Sequence, residues 1–246
     1  MKMSKTRLYV EKKLSPNIMI YIKNKQFHFL KNVLRIKIQD NILIFDSLTG
    51  EWLSKVISIN RDNIVLQVIN KTREIKSETD IWLIFAPIKL FRMNITIQKA
   101  TELGVTRFVP CITKNTNQSK INIRNLKMNS IEATEQSERL LLPFIEEPTK
   151  MDKIVDNFPK DRCLIFCNEN YQNLPMIHAA LSKKVDHYKK WAVLIGPEGG
   201  FSKEEAENIL SLPSTIPVSL GKRILRSDTA TTAAIFSLQS LVENKK

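Results

Sequence analysis

Residues 191–210 read WAVLIGPEGGFSKEEAENIL, and three of the chain's 6 glycines stand there, at 196, 199 and 200. Glycine is used where backbone must take a positive φ or come very near another group. Pro197 fixes one φ and removes an amide donor. Ser202, with Glu205 three residues later, forms a capping box, so a helix starts at once. The loop is therefore pinned between a strand and a firmly started helix. It reads either as a cradle for a flat ligand or as a plain tight turn. It is neither a dinucleotide fingerprint, since Glu198 stands where the second glycine is needed, nor a Walker loop, since Phe201 occupies the later glycine position.

A second loop has the same design. Residues 219–236, SLGKRILRSDTATTAAIF, leave an apolar run at Gly221. Lys222, Arg223 and Arg226 follow within five residues, and Ser227, Asp228 and Thr229 offer helix N-caps. Ala230, Thr231, Thr232, Ala233 and Ala234 then present small side chains that allow close packing of a helix or another chain. Two glycine-bearing strand-to-helix loops near one sheet edge would make a composite pocket with cations at its rim. The cations alone would equally suit a solvated turn.

The elements that must hold these loops follow from the apolar pattern. From Asp80 on, IWLIFAP, RFVPCIT, CLIFCN, WAVLIG and IPVSL are strand candidates with helical stretches between most of them. MNITIQKATEL reads as a helix capped at Gly104, and NSIEATEQSERLLL as another. Alternating strands and helices predict a mainly parallel, doubly covered sheet, whose ligands sit beyond the strands' carboxyl ends. Before it, NILIFD, EWLSKVISI and NIVLQVIN read as short strands separated by polar turns, the pattern of a small barrel. Residues 71–80, charged and without apolar pattern, read as the linker.

Composition narrows the partners. The formal net charge is +13, and residues 1–39 hold ten basic residues against Glu11 alone. This favours a polyanion, nucleic acid first. Cys111, Cys163 and Cys167 match no disulfide or zinc spacing, and His28, His178 and His187 are scattered, so no metal site is expected. The thiols suit a reduced cytoplasmic setting. No uncharged run is apolar enough to cross a bilayer.

IGPEGGFSKEE and LGKRILRSDTA resemble the signature motifs of the RsmE family, SPOUT methyltransferases that modify uridine N3 in small-subunit (16S) ribosomal RNA. IQKATELGV, EATEQSER and HFLKNVLRIKIQDNILIFD resemble three further family segments, in the expected order and touching most of the chain. The resemblance implies a PUA-like β-barrel domain, residues 1–73, and an α/β SPOUT (trefoil-knot) methyltransferase domain, residues 74–246. It implies S-adenosylmethionine as cofactor, with S-adenosylhomocysteine as product, 16S ribosomal RNA or the small ribosomal subunit as partner, and a homodimer. Carried over by position, Gly196, Glu198, Gly199, Gly200, Leu220, Gly221, Ile224, Leu225, Thr229 and Ala230 would line the cofactor pocket. Residues 166–168 would form the first knot loop. The chain departs from the usual pattern at Glu138, at residues 89–91, and at Lys114-Asn115, where an acidic–Arg pair is common. That last segment is expected near RNA or the dimer edge.

With no histidine in a motif, Arg226 is the candidate catalytic residue, stabilising the uracil oxygens as negative charge develops. The alternative is that it binds RNA phosphate or Asp228. Lys31, Arg35, Lys114, Lys120, Arg124 and Arg223 are the candidate RNA contacts. His28, Trp52 and Trp82 read more readily as barrel or core residues than as base-stacking platforms. A non-catalytic RNA-binding or ribosome-assembly factor on the same fold is the rival, and the intact GPEGG and RILR stretches count against it.

Overall fold

The structure, a computed structural model, describes residues 6–117, 121–168, 174–181 and 187–243. The chain divides into two compact units, residues 1–77 with 134–142, and residues 78–133 with 143–246.

The first unit holds β1 (Arg7–Tyr9), β2 (Met19–Ile22), α1 (Asn24–His28), β3 (Asn41–Phe45), β4 (Glu51–Ile59) and β5 (Ile64–Arg73). A π-helical turn, Phe29–Val33, extends α1. The strands pair in the order β1-β3-β4-β5-β2, all antiparallel except β1 with β3. Alternation decides which side chains turn inward. In β2, Ile20 and Ile22 are buried while Met19 and Tyr21 face water. They meet Leu8, Leu30, Ile42, Ile44, Val56 and Leu66 in one core. Trp52 is buried there, whereas His28 is exposed.

The expected linker is shorter than its composition suggests. β5 continues through Arg73 because its backbone pairs with β4 as far as Glu51, and such pairing needs no apolar side chains. Only residues 74–79 separate it from the next strand.

The second unit holds β6 (Asp80–Phe85), α2 (Leu90–Glu102), β7 (Arg107–Ile112), β8 (Phe144–Ile145), β9 (Thr149–Lys150), α4 (Met151–Asp156), β10 (Arg162–Cys167), α5 (Ile177–Leu181), β11 (Lys190–Ile195), α6 (Lys203–Leu210), β12 (Thr215–Val218) and α7 (Ser227–Glu243). Between β7 and β8 runs α3 (Ile123–Gln136), whose last residues belong to the first unit. The sheet is parallel, in the order β12-β10-β11-β6-β7-β8, with β9 also on β7.

Its central strands are apolar almost throughout because both faces are covered. Leu83, Cys163, Ile165, Trp191 and Val193 point to one face, against Ile97 of α2 and Ala234 and Leu238 of α7. Ile84, Leu164, Phe166, Ala192 and Leu194 point to the other, against Val155 of α4 and Ile209 of α6. Each fully buried aliphatic side chain stabilises the unit by roughly 1.5–3 kcal/mol relative to exposure.

The helix expected at residues 129–142 begins earlier and stops at Gln136. Glu138 has φ +59°, a left-handed conformation that helices do not continue through. The buried Arg7 guanidinium takes up carbonyls at this end, donating to Glu135 O at 3.0 Å and Arg139 O at 3.1 Å, while its Nε donates to Glu51 at 2.6 Å. These partners satisfy a cation that would otherwise be costly to bury.

Candidate cofactor and RNA site

Strand register decides what the two glycine loops can share. Val218, Cys167, Ile195 and Phe85 form one row across β12, β10, β11 and β6. The loops leaving β11 and β12 therefore start level, on either side of the end of β10. A cleft of about 950 Å³ opens between them.

The first loop is tightly specified. A Cβ added to Gly196 would lie 2.6 Å from the ring of Phe201, which is buried against Phe166. No other residue fits without moving that ring. Gly200 has φ +64°, and its amide donates to Pro197 O at 2.9 Å, closing the turn. The expected capping box is present: Ser202 Oγ accepts from Glu205 N at 3.2 Å, and Glu205 accepts from Ser202 N at 2.9 Å.

In the second loop Gly221 has φ +116° with nothing near its Cβ position. Ser227 Oγ donates to Gly196 O at 3.3 Å and joins the two loops.

Charge lies unevenly around the cleft. Glu198 is its one acidic lining residue among the described residues, and Arg92 of α2 forms an ion pair with it. That pair is partly exposed, so its contribution to stability is modest. Lys222, Arg223 and Arg226 are exposed on the opposite wall. Cys167 also lines the cleft, but burial pushes its thiol up to about 12. It is therefore a neutral thiol at neutral pH, with no nucleophilic thiolate. No group of side chains among the described residues could hold a metal ion.

Comparisons with known proteins carry the identification. A family model described as an RNA methyltransferase domain matches residues 75–239, and one described as an RNA methyltransferase PUA domain matches residues 22–69. The ribosomal RNA small subunit methyltransferase E of Rickettsia conorii is 32% identical over 244 residues, covering 97% of each chain. The chain belongs to the RsmE family of ribosomal RNA small subunit methyltransferases. The crystal structure of the Neisseria gonorrhoeae RsmE protein bound to S-adenosyl methionine superposes with a TM-score of 0.84 at 26% identity, over 96% of this chain and 97% of that one. A putative methyltransferase from Legionella pneumophila, in complex with the same cofactor, gives 0.80 at 25% identity, over 96% of this chain and 97% of that one. The fold is the expected one, a PUA domain with a SPOUT-class α/β methyltransferase domain.

Within this RsmE chain, eight of the ten expected pocket residues line the cleft: Gly196, Glu198, Gly200, Leu220, Gly221, Ile224, Leu225 and Ala230. Two do not. Gly199 faces Asn115, with 3.3 Å between its added Cβ and that side chain, and Thr229 is exposed on the first turn of α7. From residues 166–168, Cys167 and Asn168 reach the cleft. Arg226 and Arg223 stand at its rim.

The other RNA candidates lie apart along the chain. Lys31 is exposed in the π-helical turn, its ammonium 5.0 Å above the Phe27 ring, and Arg35 is exposed at φ +51°. Lys114 and Arg124 are exposed in the second unit, and Lys120 is outside the described residues. Trp82 has the Arg107 and Arg162 guanidinium groups over its ring, 4.7 and 3.8 Å from the ring centre, so the ring is engaged within the protein.

Sequence reasoning missed Arg92 and Asn115. Asn115 Nδ2 donates to Gly199 O at 2.9 Å and to Gly200 O at 3.1 Å. The segment expected near RNA thus touches the glycine loop itself.

Proposed function

We propose that this protein is an S-adenosylmethionine-dependent methyltransferase that methylates N3 of a uridine in 16S ribosomal RNA of the small ribosomal subunit, releasing S-adenosylhomocysteine. The observation that carries this reading is the meeting of the two glycine loops around one cleft, in a chain of the RsmE family. The residues present suit the cofactor. Val218, Leu220, Leu225 and Ala230 offer an apolar wall for a flat base. Gly196, Gly200 and Gly221 leave backbone groups accessible to its polar edge and to ribose hydroxyls. When bound, S-adenosylmethionine supplies an activated methyl group on a sulfonium.

The protein's own task is then placement. Holding donor and acceptor in line contributes several kcal/mol toward the barrier. Uracil N3 must also lose its proton, and no histidine lines the cleft among the described residues. As negative charge spreads over the uracil oxygens, the Arg226 guanidinium stabilises it. Lys222 and Arg223 beside it suit phosphate groups, which position RNA without specifying its sequence. Lys31, Arg35, Lys114, Lys120 and Arg124 extend that contact. Phe91, Ile224 and Phe236 are exposed in the second unit and support a homodimer, which light scattering would test. A ribosomal RNA substrate supports action in the cytoplasm; no helix among the described residues is long and apolar enough to cross a membrane.

The test is incubation with radiolabelled S-adenosylmethionine and either small ribosomal subunits or bare RNA lacking the modification, followed by nucleoside mapping. Label in 3-methyluridine of 16S RNA is the expected result. Cofactor binding without transfer to either substrate would overturn the substrate. Absence of cofactor binding would overturn the reading of the cleft and favour an assembly factor.

A further inference from the structure

We infer that Asn115 is a positioning residue for cofactor binding, setting the shape of the 196–200 loop from outside the cleft; this rests on the S-adenosylmethionine reading above. The glycine loop turns through a positive φ at Gly200, and its exposed end has few side chains to hold it. Two carbonyls there, those of Gly199 and Gly200, both accept from the Asn115 amide, at 2.9 and 3.1 Å. Asn115 itself is not free to drift. The preceding amide, Lys114 N, donates to the buried Glu205 carboxylate at 2.7 Å. Thr113 N and Oγ1 both bond to Thr116 Oγ1, at 2.9 and 2.8 Å, closing the turn that carries it. Glu205 also holds Ser202 N, at the far end of the same glycine loop. The loop is therefore tied at Ser202 by Glu205 and at Gly199 and Gly200 by Asn115.

Donor character is what the geometry demands. An aspartate at 115 has the same shape but would set a carboxylate oxygen against two carbonyl oxygens. An alanine removes the bonds without adding repulsion. A residue needed only to fill space would tolerate aspartate, whereas a clamp would not.

The experiment compares the full-length wild type with N115D and N115A. It reads amide hydrogen exchange over residues 196–202, the Kd for S-adenosylmethionine by calorimetry, and the unfolding midpoint. N115A is expected to bind the cofactor about tenfold more weakly, the combined worth of two ordinary hydrogen bonds, and N115D, with its added repulsion, to bind more weakly still and to exchange at least tenfold faster over this peptide. In exchange N115A falls between N115D and wild type. In steady state the KM for the cofactor rises by a larger factor than kcat falls. Exchange and Kd within twofold of wild type in N115D, with the fold intact, would overturn the assignment. Failure of the wild type to bind S-adenosylmethionine would overturn the proposed function, and exchange alone would then decide whether Asn115 clamps the loop.

Discussion

Replacing Glu205 should loosen the second unit at the base of its glycine loop, by an amount that can be worked out in advance. The carboxylate accepts from Ser202 N at 2.9 Å and from Lys114 N at 2.7 Å, and the residue is 9% exposed. Hydrogen bonds to a charged group contribute about 1.5–3 kcal/mol each when buried. Both amides here are only partly buried, so water replaces part of each lost bond, and about 1 kcal/mol apiece is the reasonable figure. A negative charge in the first turn of α6 adds roughly 0.3–1 kcal/mol through the helix dipole. E205A should therefore cost about 2–3 kcal/mol, or roughly 4–12 °C in Tm at 2–4 °C per kcal/mol for a unit of this size. E205Q keeps one acceptor and loses the charge, so it should fall about midway. Differential scanning calorimetry at pH 7 is the assay. A Tm for E205A within 1 °C of wild type would refute the reasoning, and a glutamine as damaging as alanine would show that the one bond glutamine keeps contributes nothing.

Three further outcomes are expected. R226A should lower kcat on the order of 100-fold, the usual loss of one donor to developing charge, with S-adenosylmethionine affinity nearly kept; wild-type turnover would remove Arg226 from the chemistry. Burial alone would raise the Asp80 carboxyl, but the hydrogen bond and charge of Arg162, with help from the Thr106 hydroxyl, more than reverse this and hold it below its ordinary value. Such a group contributes stability above its unfolded value of about 4 and loses it as pH falls through the folded value, so D80N should melt earlier at pH 7, and the gap should close only as pH falls below about 4 and through that lower folded value. A melting difference independent of pH would contradict this. Affinity for 16S RNA should fall with added salt by about 0.7–0.9 log unit per log of salt for each phosphate neutralised, and K31A and R35A should each flatten that slope by roughly that increment; a slope unchanged by either variant would place the RNA contact elsewhere.

The parts of this protein that were legible in its sequence are those written in local patterns. The parallel sheet shows because strands buried on both faces are apolar without a break, as in β10 and β11. The capping box at Ser202 and Glu205 shows because its partners are three residues apart. The glycine loops show because a positive φ and a close approach restrict a position to glycine, as at Gly200, Gly221 and Gly196. The family resemblance rests on the same loops together with three further segments in the expected order.

What escaped depends on partners far apart in the chain. Asn115 meets Gly199 across 84 positions, and Arg92 meets Glu198 across 106. An asparagine after a strand carries no mark of what it will bond, and an arginine in the first turn of α2 reads as a solvated charge. The early stop of α3 likewise has no local signal, since Glu138 takes its left-handed φ beside carbonyls claimed by Arg7, some 130 residues earlier. Sequence alone determined which backbone would bend and which faces would be buried, because those follow from residue type and period. Only the tertiary structure decided that the loops of β11 and β12 would stand level beside β10, and that the turn after β7 would hold one of them, because strand order and register are set by packing between distant segments.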